Sequence, residues 1–80
     1  MLHDSNYVGP AIARLRTERR WTQERVATEL RKRGIKLSPQ ILSNIECRRR
    51  VVTDKQVYHL ARLFGVTVES LYPRTANRRN

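Results

Sequence analysis

Val8, Ile12 and Leu15 fall at i, i+4 and i+7, the spacing of one helix face, and Gly9-Pro10 is compatible with a helix only in its first turn. The pattern predicts a first helix from Tyr7 or Val8, with Arg14, Arg16, Arg19 and Arg20 on its other face. Trp21-Thr22-Gln23-Glu24-Arg25-Val26 opens a second helix. Thr22 is its cap, Glu24 suits the positive end of the helix dipole, and Trp21 and Val26 have the spacing of a hydrophobic staple. Val26, Ala27 and Leu30 form its buried edge, and the small Ala27 lets another helix come close. Arg31, Lys32 and Arg33 place cations at the negative end before Gly34 supplies a left-handed stop.

The same grammar recurs three times. Ser38 is a preferred cap and Pro39 suits the first helical position of a third helix, in which Leu42 and Ile45 form the inward stripe and Leu37 and Leu42 the staple. Thr53 and Gln56 make a capping box for a fourth helix with the stripe Val57, Leu60, Ala61 and Phe64, ended by Gly65. Thr67 caps a short fifth helix that carries Val68 and Leu71 and is stopped by Pro73. Residues 1–6 lack periodicity and read as a flexible N-terminal arm, and residues 74–80 as a basic disordered tail. The expected fold is all-α, a compact five-helix domain over residues 7–73.

Charge changes what such a domain is for. Seventeen Lys and Arg against seven Asp and Glu leave +10, the balance of a chain that binds a polyanion. No apolar run approaches the roughly 20 residues that span a bilayer, and no signal-type apolar stretch follows the start, so a cytoplasmic protein is expected. The arginines are spread over several elements and not gathered on one amphipathic face, which speaks against a membrane surface. One cysteine, Cys47, excludes disulfide staples, and no Cys/His spacing fits a zinc site, so no metal or cofactor is implied. His3 and His59 have no evident catalytic partner, and short helices offer little pocket, so an enzyme is not expected. Single-stranded nucleic acid would want exposed aromatics, whereas Trp21 and Phe64 are predicted inside.

With Leu42 and Ile45 inward, the third helix turns Gln40, Ser43 and Asn44 outward. Gln and Asn each set a donor beside an acceptor, the pattern that pairs bidentately with adenine in the major groove.

Thr22-Gln23-Glu24 opening helix two, Ala27 and Leu30 within it, the Ser38 to Glu46 helix ending in Ile45-Glu46, and Leu60-Ala61-Arg62-Leu63-Phe64-Gly65-Val66 with Leu71 together resemble the Cro and phage-repressor type helix-turn-helix family, also called the XRE family. The resemblance spans roughly residues 8 to 72 and implies a lambda-repressor-like DNA-binding domain. It implies base reading by Pro39, Gln40, Ser43 and Asn44, with Ile41 against a thymine methyl. It implies phosphate contacts from Gln23, with Thr22 beside it, and from Arg48, Arg49 and Arg50 after the recognition helix. It also implies a structural ion pair between Arg16 and Glu46.

Two departures from the family pattern stand out. The connection between helices two and three is roughly five residues longer than the usual tight turn. Ile35 and Leu37 are expected to return to the core, while Lys36 and its neighbouring cations either reach phosphates or stay in water. Pro39 stands where repressors often carry a glutamine and cannot donate, so specificity leans on Gln40, Asn44 and DNA shape. The implied function is a transcriptional regulator, a repressor by promoter occupancy, bound as a homodimer to a two-fold operator with half-sites roughly 34 Å apart. Val68, Leu71 and Tyr72 are the expected dimer surface, unless they cap the core. The competing reading is a protein-interaction module on the same fold, such as an antitoxin or a coactivator-type domain.

Overall fold

A computed structural model describes residues 6–73, which hold four α-helices and no strand. These are α1 at Gly9–Glu18, α2 at Gln23–Arg31, α3 at Pro39–Glu46 and α4 at Asp54–Phe64. The expected short fifth helix is not confirmed as an α-helix: Glu69–Leu71 forms one 3-10 turn. Thr67 caps that turn by accepting from the Ser70 N–H at 3.2 Å, but Pro73 follows too soon for a regular helix to propagate. The tail of residues 74–80 and residues 1–5 of the arm lie outside the described residues.

Three helices start as their side chains dictate. Thr22, Ser38 and Thr53 sit in extended backbone and accept from Arg25 N–H, Ile41 N–H and Gln56 N–H at 3.0, 3.1 and 3.1 Å. Gln56 returns the bond to Thr53 N–H at 3.0 Å, completing the capping box. All four helices end alike. An amide beyond each end reaches back into the last turn: Trp21 N–H to Arg16 O, Ile35 N–H to Leu30 O, Arg49 N–H to Asn44 O and Val66 N–H to Ala61 O, all at 2.8–3.0 Å. The residue just before that amide is left-handed, with φ of +83° at Gly34 and +71° at Gly65, but also +58° at Arg20 and +62° at Arg48. Two closures thus use glycine, and two force an arginine into a conformation its Cβ disfavours.

α3 and α4 each pack against both α1 and α2. Ile12, Val26, Leu30, Leu42, Ile45, Leu60 and Leu71 are fully excluded from water in the shared core. Ile35 and Leu37, in the long α2–α3 connection, are buried as well. That connection does not extend α2: after Arg31 the chain turns at Gly34 and runs irregularly to Ser38, pinned by its two apolar residues. Phe64 is buried, whereas Trp21 is half-buried at the rim, with its ring 5.8 Å from that of Phe64 and the Arg25 guanidinium stacked 4.5 Å from its centroid.

Candidate nucleic-acid interface

α3 packs against α1 and α2, which leaves its outward face for function. Leu42 and Ile45 point into the core, while Pro39 and Gln40 are exposed and Ser43 and Asn44 are half-buried. Residues 40, 43 and 44 share a face because they are three and four apart on a helix. Ile41 packs against the core with one side and lines a shallow groove with the other.

The C-terminal end of α3 is tied down by an ion pair. Arg16 donates from Nε to Glu46 Oε2 at 2.7 Å and from Nη2 to Oε1 at 3.1 Å, a fork-to-fork geometry, and its Nη1 donates to Trp21 O at 2.8 Å. The Glu46 side chain is 6% exposed and that of Arg16 17%. Hydrogen bonding to Glu46 raises the Arg16 guanidinium above its ordinary value; burial opposes this and the carboxylate charge adds to it. One link therefore joins α1, the α1–α2 turn and α3.

Gln23, expected at a phosphate, joins this same network. Its Nε2 donates to Glu46 Oε1 at 3.0 Å and the residue is half-buried, so its side chain orients the carboxylate. Thr22 is exposed and its oxygen is engaged as the α2 cap, which still leaves its hydroxyl proton to donate.

The arginine run after α3 divides. Arg48 is half-buried, donates from Nε to Asn6 O at 2.7 Å and lies 5.9 Å from the centre of the Tyr7 ring, so part of its side chain is engaged within the fold. Arg49 and Arg50 are exposed. At the other end of α3, Arg31 and Lys36 are exposed and line the groove, of about 350 Å³, together with Leu37, Ser38 and Ile41. Exposed cations therefore bracket α3 at both ends.

The other arginines of the first helix divide as well. Arg19 donates to Leu15 O at 3.2 Å and to Phe64 O at 2.7 Å, and its guanidinium lies 5.2 Å from the Phe64 ring centre, so it closes the end of α4. Arg14 makes only a loose, exposed 3.9 Å pair with Glu18.

Two further positions are decided by burial. Of the three residues expected either at a dimer surface or capping the core, Leu71 is fully buried and belongs to the core, while Val68 is exposed and Tyr72 half-buried. Asn6, assigned to the flexible arm, is fully buried. The signal for it was in the chain: an asparagine, a preferred cap, stands three residues ahead of Gly9.

Among the described residues no group of His, Cys, Asp and Glu could hold a metal ion, and no helix is long and apolar enough to cross a membrane. No protein-family model, curated protein or solved structure matches the chain significantly.

Proposed function

We propose that the chain is a sequence-specific double-stranded DNA-binding regulator of the helix-turn-helix type, with α3 as the helix that enters the major groove. One observation carries this reading. An eight-residue helix presents a polar face of Gln40, Ser43 and Asn44 and is bracketed by exposed Arg31 and Lys36 at its start and Arg49 and Arg50 past its end. Such a helix is about 12 Å long, and the major groove is about 12 Å wide, so cations at its two ends are spaced to meet phosphates on either wall. The amides then read base edges while the cations supply affinity.

Burial narrows the roles within that site. Gln40 and Asn44 are the base-reading candidates, with Ser43 between them, and Pro39 limits hydrogen bonding at the helix start. Arg49, Arg50 and Lys36 serve phosphates, while Gln23 and Arg48 hold the scaffold. In this reading two copies bind a two-fold operator and repress by occupying a promoter, with Val68 and Tyr72 as the surface left for the dimer once Leu71 is assigned to the core.

Selection from a randomised duplex library, followed by titration of selected and scrambled duplexes at two salt concentrations, tests the reading. The expected result is an enriched inverted repeat bound at least about a thousandfold tighter than scrambled DNA. Weak, salt-sensitive binding without an enriched motif would overturn it and return attention to a protein partner.

A further inference from the structure

Asn6 is the one polar residue wholly excluded from water among the described residues, and its side chain bonds to both α1 and the end of α3. Its Nδ2 donates to Ile45 O at 2.9 Å and to Arg50 O at 2.8 Å, and its Oδ1 accepts from Gly9 N–H at 2.9 Å. Its own carbonyl accepts from Arg48 Nε at 2.7 Å. One residue thereby ties the first turn of α1 to the last turn of α3 and to both ends of the arginine run. Only a short amide offers two donors and an acceptor in this volume: aspartate would turn an oxygen toward two carbonyl oxygens, and an alanine would take the side-chain partner from Gly9 N–H and Arg50 O while Ile45 O kept only its bond from Arg48 N–H.

The turn after α3 has limited support of its own. Arg48 N–H and Arg49 N–H close the helix onto Ile45 O and Asn44 O, but the next helix begins only at Asp54. Between these points the Arg50 carbonyl is anchored by Asn6 across 44 residues of sequence. Arg49 and Arg50 are the exposed cations of that run.

We propose that Asn6 is a positioning residue for nucleic-acid binding: by clamping the turn at residues 47–50 to α1, it presents Arg49 and Arg50 to the phosphates beside the C-terminal end of α3. The inference rests on the duplex-binding reading above. The physical gain is preorganisation, since a turn already ordered in the free protein loses less conformational entropy when it binds. The clamp also sets the register between phosphate-contacting arginines and the outward face of α3.

The test uses the full chain as wild type, Asn6→Ala, the Arg49→Ala/Arg50→Ala pair, and the triple variant. Each is titrated against the selected and a scrambled duplex over a range of salt, at a temperature where circular dichroism shows it folded. Asn6→Ala is expected to weaken binding to both duplexes by about tenfold or more and to lower the salt slope by about one to two units, with the ratio between duplexes unchanged. In the background lacking both arginines the same substitution should change neither affinity nor slope, because the two sites act as one unit. A wild-type slope for Asn6→Ala, or an equal loss with and without the arginines, would overturn the proposal. Should Asn6→Ala not fold, Asn6→Ser is read in the same way: its hydroxyl can serve Gly9 N–H but is too short to bridge both carbonyls. Absence of any salt-dependent duplex binding by the wild type overturns the duplex reading and this proposal with it, whereas normal wild-type binding with an unaltered Asn6→Ala slope overturns this proposal alone.

Discussion

Arg16 and Glu46 face each other fork to fork across the interface of α1 and α3, at 2.7 and 3.1 Å, with the carboxylate almost wholly buried. Removing one partner strands the other in a site that water barely reaches. Glu46→Ala is expected to cost about 3 kcal/mol in urea unfolding, because the remaining guanidinium is left buried without its charge partner. A cost below about 0.5 kcal/mol would mean that the pair behaves like an exposed one. Because the folded Arg16 value is raised, its contribution is complete below the ordinary arginine range and is lost only as pH rises through the folded value. The arginine itself therefore introduces no pH dependence of stability between about pH 7 and 10.

Gly9 is a second point of contact between the same two helices. A Cβ there would run into the carbonyl oxygen of Ile45. Helix propensity alone says that alanine improves on glycine by about 1 kcal/mol. Packing reverses the sign, and Gly9→Ala is expected to destabilise by about 1–3 kcal/mol as the helices are pushed apart. Equal or greater stability of Gly9→Ala in urea would show that α1 can shift freely on α3.

Arg20 and Arg48 share a left-handed backbone but differ in what their side chains do. Arg20 is exposed, so Arg20→Gly relieves a Cβ clash of about 1–2 kcal/mol, part of which is offset by the greater freedom of glycine in the unfolded chain. A net gain of up to about 1 kcal/mol is expected. Arg48→Gly gives up the bond to Asn6 O together with the clash, and should be neutral or destabilising. Thermal melts of the two variants separate these outcomes; a larger gain at Arg48 than at Arg20 would contradict the structural role of Arg48.

Base reading and phosphate contact leave different signatures. Gln40→Ala or Asn44→Ala should cost about 1–3 kcal/mol on the preferred duplex and relax preference at one base position. Arg49→Ala should weaken all duplexes similarly and lower the salt slope by roughly one unit. Gln23→Ala should instead act mainly on stability, through the loss of its bond to Glu46. Uniform losses across sequences for Gln40→Ala would remove α3 from the reading role.

What could be read from the chain alone was what neighbours within about four residues decide. Thr22, Ser38 and Thr53 mark helix starts because a cap acts on amides two or three residues on, and Gly34 and Gly65 mark ends because φ is a local property. The inward stripes, and hence the outward face of α3, followed from 3.6-residue periodicity. The tertiary structure decided how the polar side chains divide between scaffold and surface. Arg19, Gln23 and Arg48 look as available as Arg49 until α4, Glu46 and Asn6 arrive beside them from 45, 23 and 42 residues away. Likewise the choice left open for Leu71, dimer surface or core, fell to the core, and Asn6, expected in an arm, is buried. The partner of a long polar side chain is set by which helices pack together, and no local pattern along the chain carries that information.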